Sequence, residues 1–243
     1  MIPIRDNVPC LIRPYVLWTI LVANALTFFA EQFFSPTGKL TLFHLLGVVP
    51  ARYFDPEWAI AAGYPAFGVI PFFTYMFLHS GWIHIILNMW MLWIFANNIE
   101  DAMGHARFLA FYAICGVVAI GVQIMLAPTV HTPIIGASGA VAGIMGAYFV
   151  LYPHGRVLTL IPIIIIPLFF KIPAGLFLGL WFFIQIFSSL TNHISGSAQE
   201  IAWGAHIAGF ITGVVLVRFF VKKGRCKYCY DPAKKDYELD EDF

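Results

Sequence analysis

Apolar residues along this chain gather into six runs, separated by stretches that are richer in polar residues and proline. A helix needs about 20 mostly apolar residues to cross a bilayer. We read each run as one membrane helix, so the pattern predicts six spans. Their approximate bounds are 15–34, 82–99, 106–127, 138–152, 173–190 and 201–221.

Two stretches do not fit a simple succession of spans. The segment 157–171 is apolar but contains Pro162 and Pro167, and proline breaks the interior of a helix. We therefore expect an irregular or interfacial segment that leads into the fifth span. The first loop, about 35–70, carries aromatic residues such as Trp58 among few charges. That composition is typical of a loop that rests on the membrane surface.

Composition strengthens the membrane interpretation. Apolar residues make up 60% of the chain, charged residues make up 11%, and the mean hydropathy is +0.81. A soluble globule of 243 residues could not bury this much apolar side chain. The formal charge of +1 gives no bulk attraction to polyanions. Soluble enzymes and nucleic-acid-binding proteins are therefore excluded, and the fold class is an all-α membrane protein.

Lysine and arginine residues predict the orientation of the spans. With both termini inside, the outer loops hold only Lys39 and Arg52 of the 14 basic residues, and the other 12 are inside. Because cytoplasmic loops carry an excess of these residues, cytoplasmic termini are favoured. We divide the chain into a cytoplasmic segment, a six-helix membrane domain and a short charged tail, which we expect to be flexible. Their bounds are 1–14, 15–221 and 222–243.

The four cysteines do not form a disulfide framework. Cys10 and Cys115 stand alone, whereas Cys226 and Cys229 form a CxxC pair in the charged tail. Two thiols are half of a structural zinc site, which normally has four ligands. A zinc site and a pair of solvated thiols both remain open for this tail.

Polar side chains inside the spans are candidates for function, because they are costly in lipid. His84 and Asn88 are four residues apart in the second span, so they lie on one face of the helix. Hydrogen bonding between helices is the alternative explanation for this pair. His206 lies in the sixth span and is followed by Gly209 and Gly213, whose spacing is typical of close helix packing.

The fourth span begins at Ser138, within the sequence GASG. Serine is a common N-cap residue, so capping is one alternative for Ser138. A packing seam is a second alternative, for the glycines that follow it. A histidine base within about 2.6–3.2 Å would activate the hydroxyl as a nucleophile. Since Glu200 is the nearest acidic residue, six positions before His206, we predict a Ser–His dyad without an acid partner.

These motifs together resemble the rhomboid intramembrane serine proteases. They are, in order, HxxxxHxxxN at 79–88, GASG at 136–139 and AHxxG at 205–209. The similarity extends from about residue 72 to residue 213. Each motif alone is weak, but the order and the spacing of all three are specific.

The resemblance implies a role for each candidate residue. Ser138 would be the nucleophile and His206 the general base. His84, Asn88 and the backbone N–H of Ser138 would form the oxyanion hole. Gly136 would belong to the loop that shapes this hole. The implied fold is a six-helix rhomboid-like bundle with a short central fourth helix and a membrane-associated first loop, around a water-filled cavity open to the outer side.

The chain departs from the family pattern at two places. Many members carry a Trp-Arg pair in the first loop, where this chain has Ile70 and Pro71. Some members carry an aromatic residue four positions after the serine that stacks on the catalytic histidine, and here that residue is Ala142. His206 must therefore be oriented by other packing. Glu100 does fit the family pattern at the end of the second span.

The resemblance also implies the partners. The family's substrates are membrane-anchored proteins, so we expect transmembrane protein substrates, a lipid bilayer, no nucleic acid, no cofactor and no metal. The oligomeric state does not follow. Two alternatives are a non-catalytic rhomboid-like protein that binds membrane proteins and a transporter or channel with a polar pathway. A zinc membrane protease is disfavoured because HExxH is absent from the sequence.

Overall fold

The structure, a computed structural model, describes residues 1–65, 68–163, 166–195, 201–222, 228–231 and 236–239. It is mostly helical. The helices are α1 (Tyr15–Glu31), α2 (Pro36–Leu46), α3 (Ala51–Phe54), α4 (Pro56–Ala61), α5 (Pro71–Thr74), α6 (Trp82–Met103), α7 (His105–Leu126), α8 (Ser138–Leu151), α9 (Ala174–Ser195) and α10 (Trp203–Phe220). The strands are β1 (Ile2–Arg5), β2 (Arg156–Ile163), β3 (Ile166–Pro173), β4 (Tyr228–Asp231) and β5 (Asp236–Leu239).

Each of the six apolar runs forms a helix. Among the described residues, α6, α7, α9 and α10 are long and apolar enough to cross a membrane, and α1 and α8 are shorter apolar helices. The chain is therefore an integral membrane protein with several apolar helices. Six crossings remain a prediction.

The short helix α8 lies in the middle of the molecule. Every residue from Gly139 to Tyr148 is buried, and α8 packs against α6, α7, α9 and α10. This central position agrees with the short fourth helix that the family resemblance implied. It also places the two ends of α8 at the contacts between several other helices.

The prediction of an irregular segment at 157–171 was wrong, whereas its alternative, an interfacial segment, stays a prediction. This segment is not irregular, because β2 and β3 form an antiparallel pair in which Pro162 lies opposite Pro167. Isoleucine, valine and threonine favour strands. Proline prevents a helix here but is tolerated at strand ends and edges. β1 pairs with the other edge of β2, which gives a three-stranded sheet in the order β1-β2-β3.

The first loop contains the short helices α2 to α4 and is followed by α5. Its backbone is tied to the segment that precedes α8, since the amide of Val48 donates to the carbonyl of Ile134 at 3.0 Å, and Ile134 returns a bond at 2.7 Å. Arg52 is buried and donates to the carbonyl of Pro65 at 3.1 Å. Contact of this loop with the membrane remains an expectation.

The C-terminal end of α6 holds the start of α1 in place. The carboxylate of Glu100 accepts the backbone N–H groups of Val16 and Leu17 at 2.9 and 2.8 Å. These are among the first N–H groups of α1, which have no partner within the helix. Asp101 accepts the N–H of Leu11 at 2.7 Å, and Asn98 donates to the carbonyl of Val8 at 3.0 Å.

The described part of the tail has regular structure, and the flexibility of the tail stays an expectation. β4 and β5 pair in antiparallel fashion, and Tyr237 in β5 is only 8% exposed. The ring of Tyr237 meets the ring of Tyr152 edge-on, with centroids 5.8 Å apart. Cys226 lies outside the described residues, so a zinc site and a pair of solvated thiols both stay open for the CxxC pair.

Candidate active site

Ser138 is the first residue of α8, and the helix brings its hydroxyl to a histidine. The N-cap position belongs to Ala137, and no side chain caps the helix there. The Oγ atom of Ser138 lies 2.8 Å from Nε2 of His206. The distance is within the range needed for proton transfer. Serine and histidine, 68 residues apart in the chain, therefore meet as the dyad predicted.

Glycines set the close approach of α8 and α10. A Cβ atom added at Gly209 would lie 2.1 Å from the carbonyl oxygen of Gly139. One added at Gly213 would lie 1.9 Å from the carbonyl oxygen of Gly143. Neither position leaves room for a side chain. The expected small-residue seam is present, and it joins the helix that carries the serine to the helix that carries the histidine.

His84 and Asn88 lie on the face of α6 that borders the same cavity. The backbone N–H of Ser80 approaches Nδ1 of His84 at 3.5 Å, and the hydroxyl of Ser80 lies 3.1 Å from the same atom. An N–H group can only donate, so Nδ1 accepts and Nε2 carries the proton. Asn88 uses its amide nitrogen to donate to the carbonyl of His84 at 3.1 Å.

Gly136 forms the wall opposite these two side chains. Its φ of +120° is favourable for glycine and rarely adopted by other residues. A Cβ atom at Gly136 would lie 2.6 Å from Nε2 of His84 and 3.8 Å from Nδ2 of Asn88. The side-chain nitrogens of His84 and Asn88 therefore lie close to the backbone just before Ser138. The N–H of Gly136 is held by the carbonyl of Tyr75 at 2.8 Å.

A single cavity of about 1370 Å³ contains all five predicted site residues. They are Ser138, His206, His84, Asn88 and Gly136. Among the described residues that line the cavity there is no aspartate, glutamate, lysine or arginine. Glu200, the nearest acidic residue in the sequence, lies outside the described residues. The lining is mostly apolar, with a few polar groups that converge on Ser138.

The structure adds side chains that the sequence analysis did not name. Gln185 in α9 is 5% exposed and lies with its Oε1 atom 2.9 Å from Nδ1 of His206. Gln123 in α7 is 2% exposed and accepts the N–H of Ala205 at 3.0 Å. Each is an isolated amide in an apolar run, and the cost of an amide in lipid was the signal that could have identified both.

His79 also belongs to the surroundings of the site. Its ring is fully buried and meets the ring of His84 edge-on, with centroids 5.0 Å apart. Burial lowers the pKa of His79 to about 4, helped by the neighbouring His84. His79 is therefore neutral at physiological pH. It supports the ring of His84 by packing.

The arrangement combines a hydroxyl next to a histidine base with donors placed near it. His84 can offer Nε2–H and Asn88 can offer its second amide N–H, beside the free N–H groups at the start of α8. Such a set of donors can stabilise the negative oxygen that forms when a hydroxyl attacks a carbonyl carbon. The chemistry favoured by this geometry is acyl transfer.

Comparison with known proteins gives a consistent result. A family model described as the rhomboid domain matches residues 66–223. Rhomboid protein 1, mitochondrial, of Saccharomyces cerevisiae is 27% identical over 148 residues, which is 57% of this chain and 38% of that protein. Presenilin-associated rhomboid-like protein, mitochondrial, of Mus musculus is 32% identical over 154 residues, covering 62% of this chain and 35% of the relative.

A bacterial relative matches a shorter stretch. YdcA of Bacillus subtilis, which is named as a candidate rhomboid protease, is 35% identical to this chain over 75 residues. The match covers 31% of this chain and 37% of YdcA. In all three cases the matched stretch spans less than two fifths of the relative's own length.

Proposed function

The chain belongs to the rhomboid family, and on that premise we propose that it is an intramembrane serine endopeptidase. The family includes serine proteases and also inactive members, so membership alone does not decide between them. The proposal is carried by one observation, the separation of 2.8 Å between Ser138 Oγ and His206 Nε2. A protein that only binds membrane proteins has no need of this contact.

The proposed reaction is hydrolysis of a peptide bond through an acyl-enzyme. Ser138 Oγ attacks the carbonyl carbon while His206 Nε2 takes the hydroxyl proton. The imidazolium gives this proton to the leaving amine as the C–N bond breaks. Water, deprotonated by the same histidine, then attacks the ester, and the carboxylate product leaves as Ser138 regains its proton.

The oxyanion would be held by groups that converge from two elements. His84 and Asn88 approach from α6, and the backbone N–H of Ser138 lies at the start of α8. Gly136 belongs to this site because any side chain there would occupy the space in front of His84. These donors are fixed in place by the surrounding helices before the oxyanion forms, so each of them has a larger effect than in solution.

The proposed substrates are membrane-anchored proteins cut in or near a transmembrane segment. The supporting observation is the mostly apolar lining of a cavity formed between apolar helices. An apolar segment with an exposed backbone carbonyl fits such a lining. No cofactor takes part in the proposed steps, since the serine, the histidine and water supply every atom and proton.

We propose the cell membrane as the location, with both termini cytoplasmic and the site open to the outer side. The distribution of lysine and arginine supports this orientation. Two relatives have names that place them in mitochondria, which is the competing compartment. The orientation would be refuted if an impermeant thiol reagent labelled Lys222→Cys but not Lys39→Cys in intact cells.

The decisive experiment is labelling with a fluorophosphonate, which reacts with activated serines. We expect the wild-type protein in detergent micelles to be labelled and Ser138→Ala to be unlabelled, because the variant has no nucleophile. Ser138→Ala should also lose all cleavage of a model transmembrane substrate while it inserts and folds normally. Labelling of the variant at the wild-type rate would reject Ser138 as the nucleophile. Wild-type protein that neither reacts nor cleaves would indicate a binding protein.

A further inference from the structure

The second ring nitrogen of His206 has a defined partner. Nδ1 lies 2.9 Å from Oε1 of Gln185 in α9. Gln185 is 5% exposed and His206 is half-buried. His206 is therefore held at both nitrogens, with Ser138 at Nε2 and Gln185 at Nδ1.

The orientation of the Gln185 amide follows from its other hydrogen bond. Its Nε2 atom lies 3.2 Å from the carbonyl oxygen of Trp181, one turn earlier in α9. A carbonyl can only accept, so the NH₂ group faces Trp181 and the amide oxygen faces His206. Because that oxygen can only accept, Nδ1 of His206 must carry the proton. The lone pair of Nε2 then faces the hydroxyl of Ser138, as a general base requires.

No charged group performs this task among the described residues of the cavity. The titratable side chains that line it, apart from His206, are Tyr75, His84 and His131. None of them is hydrogen-bonded to Nδ1, which is engaged by Gln185. A neutral amide selects the tautomer of the histidine without placing a second charge in an apolar site, where an unpaired carboxylate would be costly.

We infer that Gln185 is a positioning residue that completes a Ser–His–Gln triad by holding His206 in the tautomer able to accept the proton of Ser138. The inference rests on the proposed function. It also accounts for Ala142, which provides no ring to stack on the histidine. Here the ring of His206 packs instead near Trp181, at a centroid distance of 6.1 Å, and edge-on to Trp203 at 5.9 Å.

The triad makes the base depend on the position of α9. Gln185 and Trp181 both lie on this helix, whereas the serine and the histidine lie on the tightly packed pair α8 and α10. Of the four long helices, α9 is the least buried. In its most apolar 18-residue stretch 22% is buried, against 39–44% in the other three helices. A displacement of α9 would therefore remove the partner of Nδ1 while it left the Ser138–His206 pair in place.

The test compares two substitutions of Gln185 with a control on the same helix. Gln185→Leu removes the acceptor and Gln185→Glu keeps it but adds a charge. Thr191→Val removes an exposed hydroxyl whose bonds stay within α9. Cleavage of a model transmembrane substrate is measured as kcat and KM from pH 5 to pH 9, on the purified protein in micelles.

We expect Gln185→Leu to lower kcat by about 10–10²-fold with little change in KM, because a smaller fraction of His206 has the required tautomer. Gln185→Glu should keep more activity than Gln185→Leu. The acidic limb of its pH–rate profile should lie about 1 pH unit higher, because a carboxylate stabilises the imidazolium. Thr191→Val should match the wild type. Unchanged kcat in Gln185→Leu, or an unmoved acidic limb in Gln185→Glu, would overturn the inference.

A second readout does not require any activity. Nitrogen-15 NMR of labelled histidine distinguishes the two neutral tautomers, and we expect the Nδ1–H form of His206 in the wild type and in Ser138→Ala. Gln185→Leu should show a mixture of both forms. If the wild type has the Nε2–H form, the triad is wrong whether or not the protein is a protease. If the wild type has the Nδ1–H form but shows no labelling by fluorophosphonate, the proposed function fails and the positioning contact stands.

Discussion

One helix, α6, carries two groups of polar side chains that behave differently. His84 and Asn88, near its start, border the cavity. Asn98, Glu100 and Asp101, near its end, are bonded to the backbone around the start of α1. His84 and Glu100 are 16 residues apart, which is about 24 Å along a helix. Both groups are in apolar surroundings, yet only one of them faces a place where a substrate could bind.

The difference lies in how the hydrogen-bonding capacity is used. Both carboxylate oxygens of Glu100 accept backbone N–H groups, and Oε1 also lies 2.5 Å from Nδ1 of His105. The hydrogen bonds of His84 engage Nδ1, and its Nε2 faces Gly136. A polar residue in a membrane helix is therefore not functional by its presence alone. It becomes a candidate when a donor or acceptor remains directed to a cavity.

Two asparagines on α6 give the strongest test of this comparison. Asn88→Ala should lower kcat by about 10²–10³-fold, the usual cost of one oxyanion donor, with an unchanged unfolding midpoint. Asn98→Ala is the matched control, since Asn98 is 1% exposed and bonded to the carbonyls of Val8 and Pro9. It should lower the midpoint and leave kcat of the folded protein unchanged. The comparison fails if Asn88→Ala lowers the unfolding midpoint and Asn98→Ala lowers kcat. A loss of kcat in Asn88→Ala as large as that in Ser138→Ala would mean that Asn88 does more than donate to the oxyanion.

Glu100→Ala should be the next largest effect, and it should act on stability. The substitution leaves the N–H groups of Val16 and Leu17 unpaired at the start of α1, which should cost about 2–3 kcal/mol in the free energy of unfolding. Unfolding in mixed micelles, followed by tryptophan fluorescence, measures this cost. Fluorophosphonate labelling per folded molecule should match that of the wild type. Loss of labelling in correctly folded protein would show that Glu100 supports the active site, as His84 and Asn88 do, and not only the fold.

The smallest expected effect concerns Asp6, which precedes the first span. Burial raises the pKa of Asp6 to about 6, although the hydroxyl of Tyr148 donates to its Oδ2 atom at 2.6 Å. The folded protein therefore prefers the protonated carboxyl. This contribution to stability is complete below about pH 4 and is lost as the pH rises through about 6. The unfolding midpoint of the wild type should fall slightly from pH 5 to pH 7. Asp6→Asn should make that slope shallower, and an identical slope would assign it to other groups.

The sequence predicted the helices because they depend on strong local signals. The contact between Ser138 and His206 joins residues 68 positions apart, and it was predicted from the base that a serine nucleophile needs and from the order of the three motifs. A membrane helix is visible as a long apolar run, and the spacing of His84 and Asn88 places both on one face. The glycine motifs around Ser138 and His206 indicated which helices pack closely. For these elements the order of residues along a short stretch contains nearly all the information needed.

The remaining features depend on contacts that no short stretch encodes. Gln185 is one amide in an apolar helix, and its direction is set by how α9 packs beside α10. In the β2–β3 hairpin, Pro162 and Pro167 exclude a helix, but they do not by themselves distinguish a strand from an irregular segment. The role of Glu100 could not be derived because its partners, Val16 and Leu17, are more than 80 positions away.

The pairing of β1 with β2 has a consequence for the order of biosynthesis. Ile2 lies opposite Leu160, so the ribosome must add 158 further residues before the first strand can meet its neighbour. At about 5–20 residues per second this takes roughly 8–30 s. α1 likewise receives its Glu100 cap only after the helix that carries it has been made. Residues 2–5 are thus among the last to reach their final state, and nascent chains halted before residue 156 should leave them open to added protease.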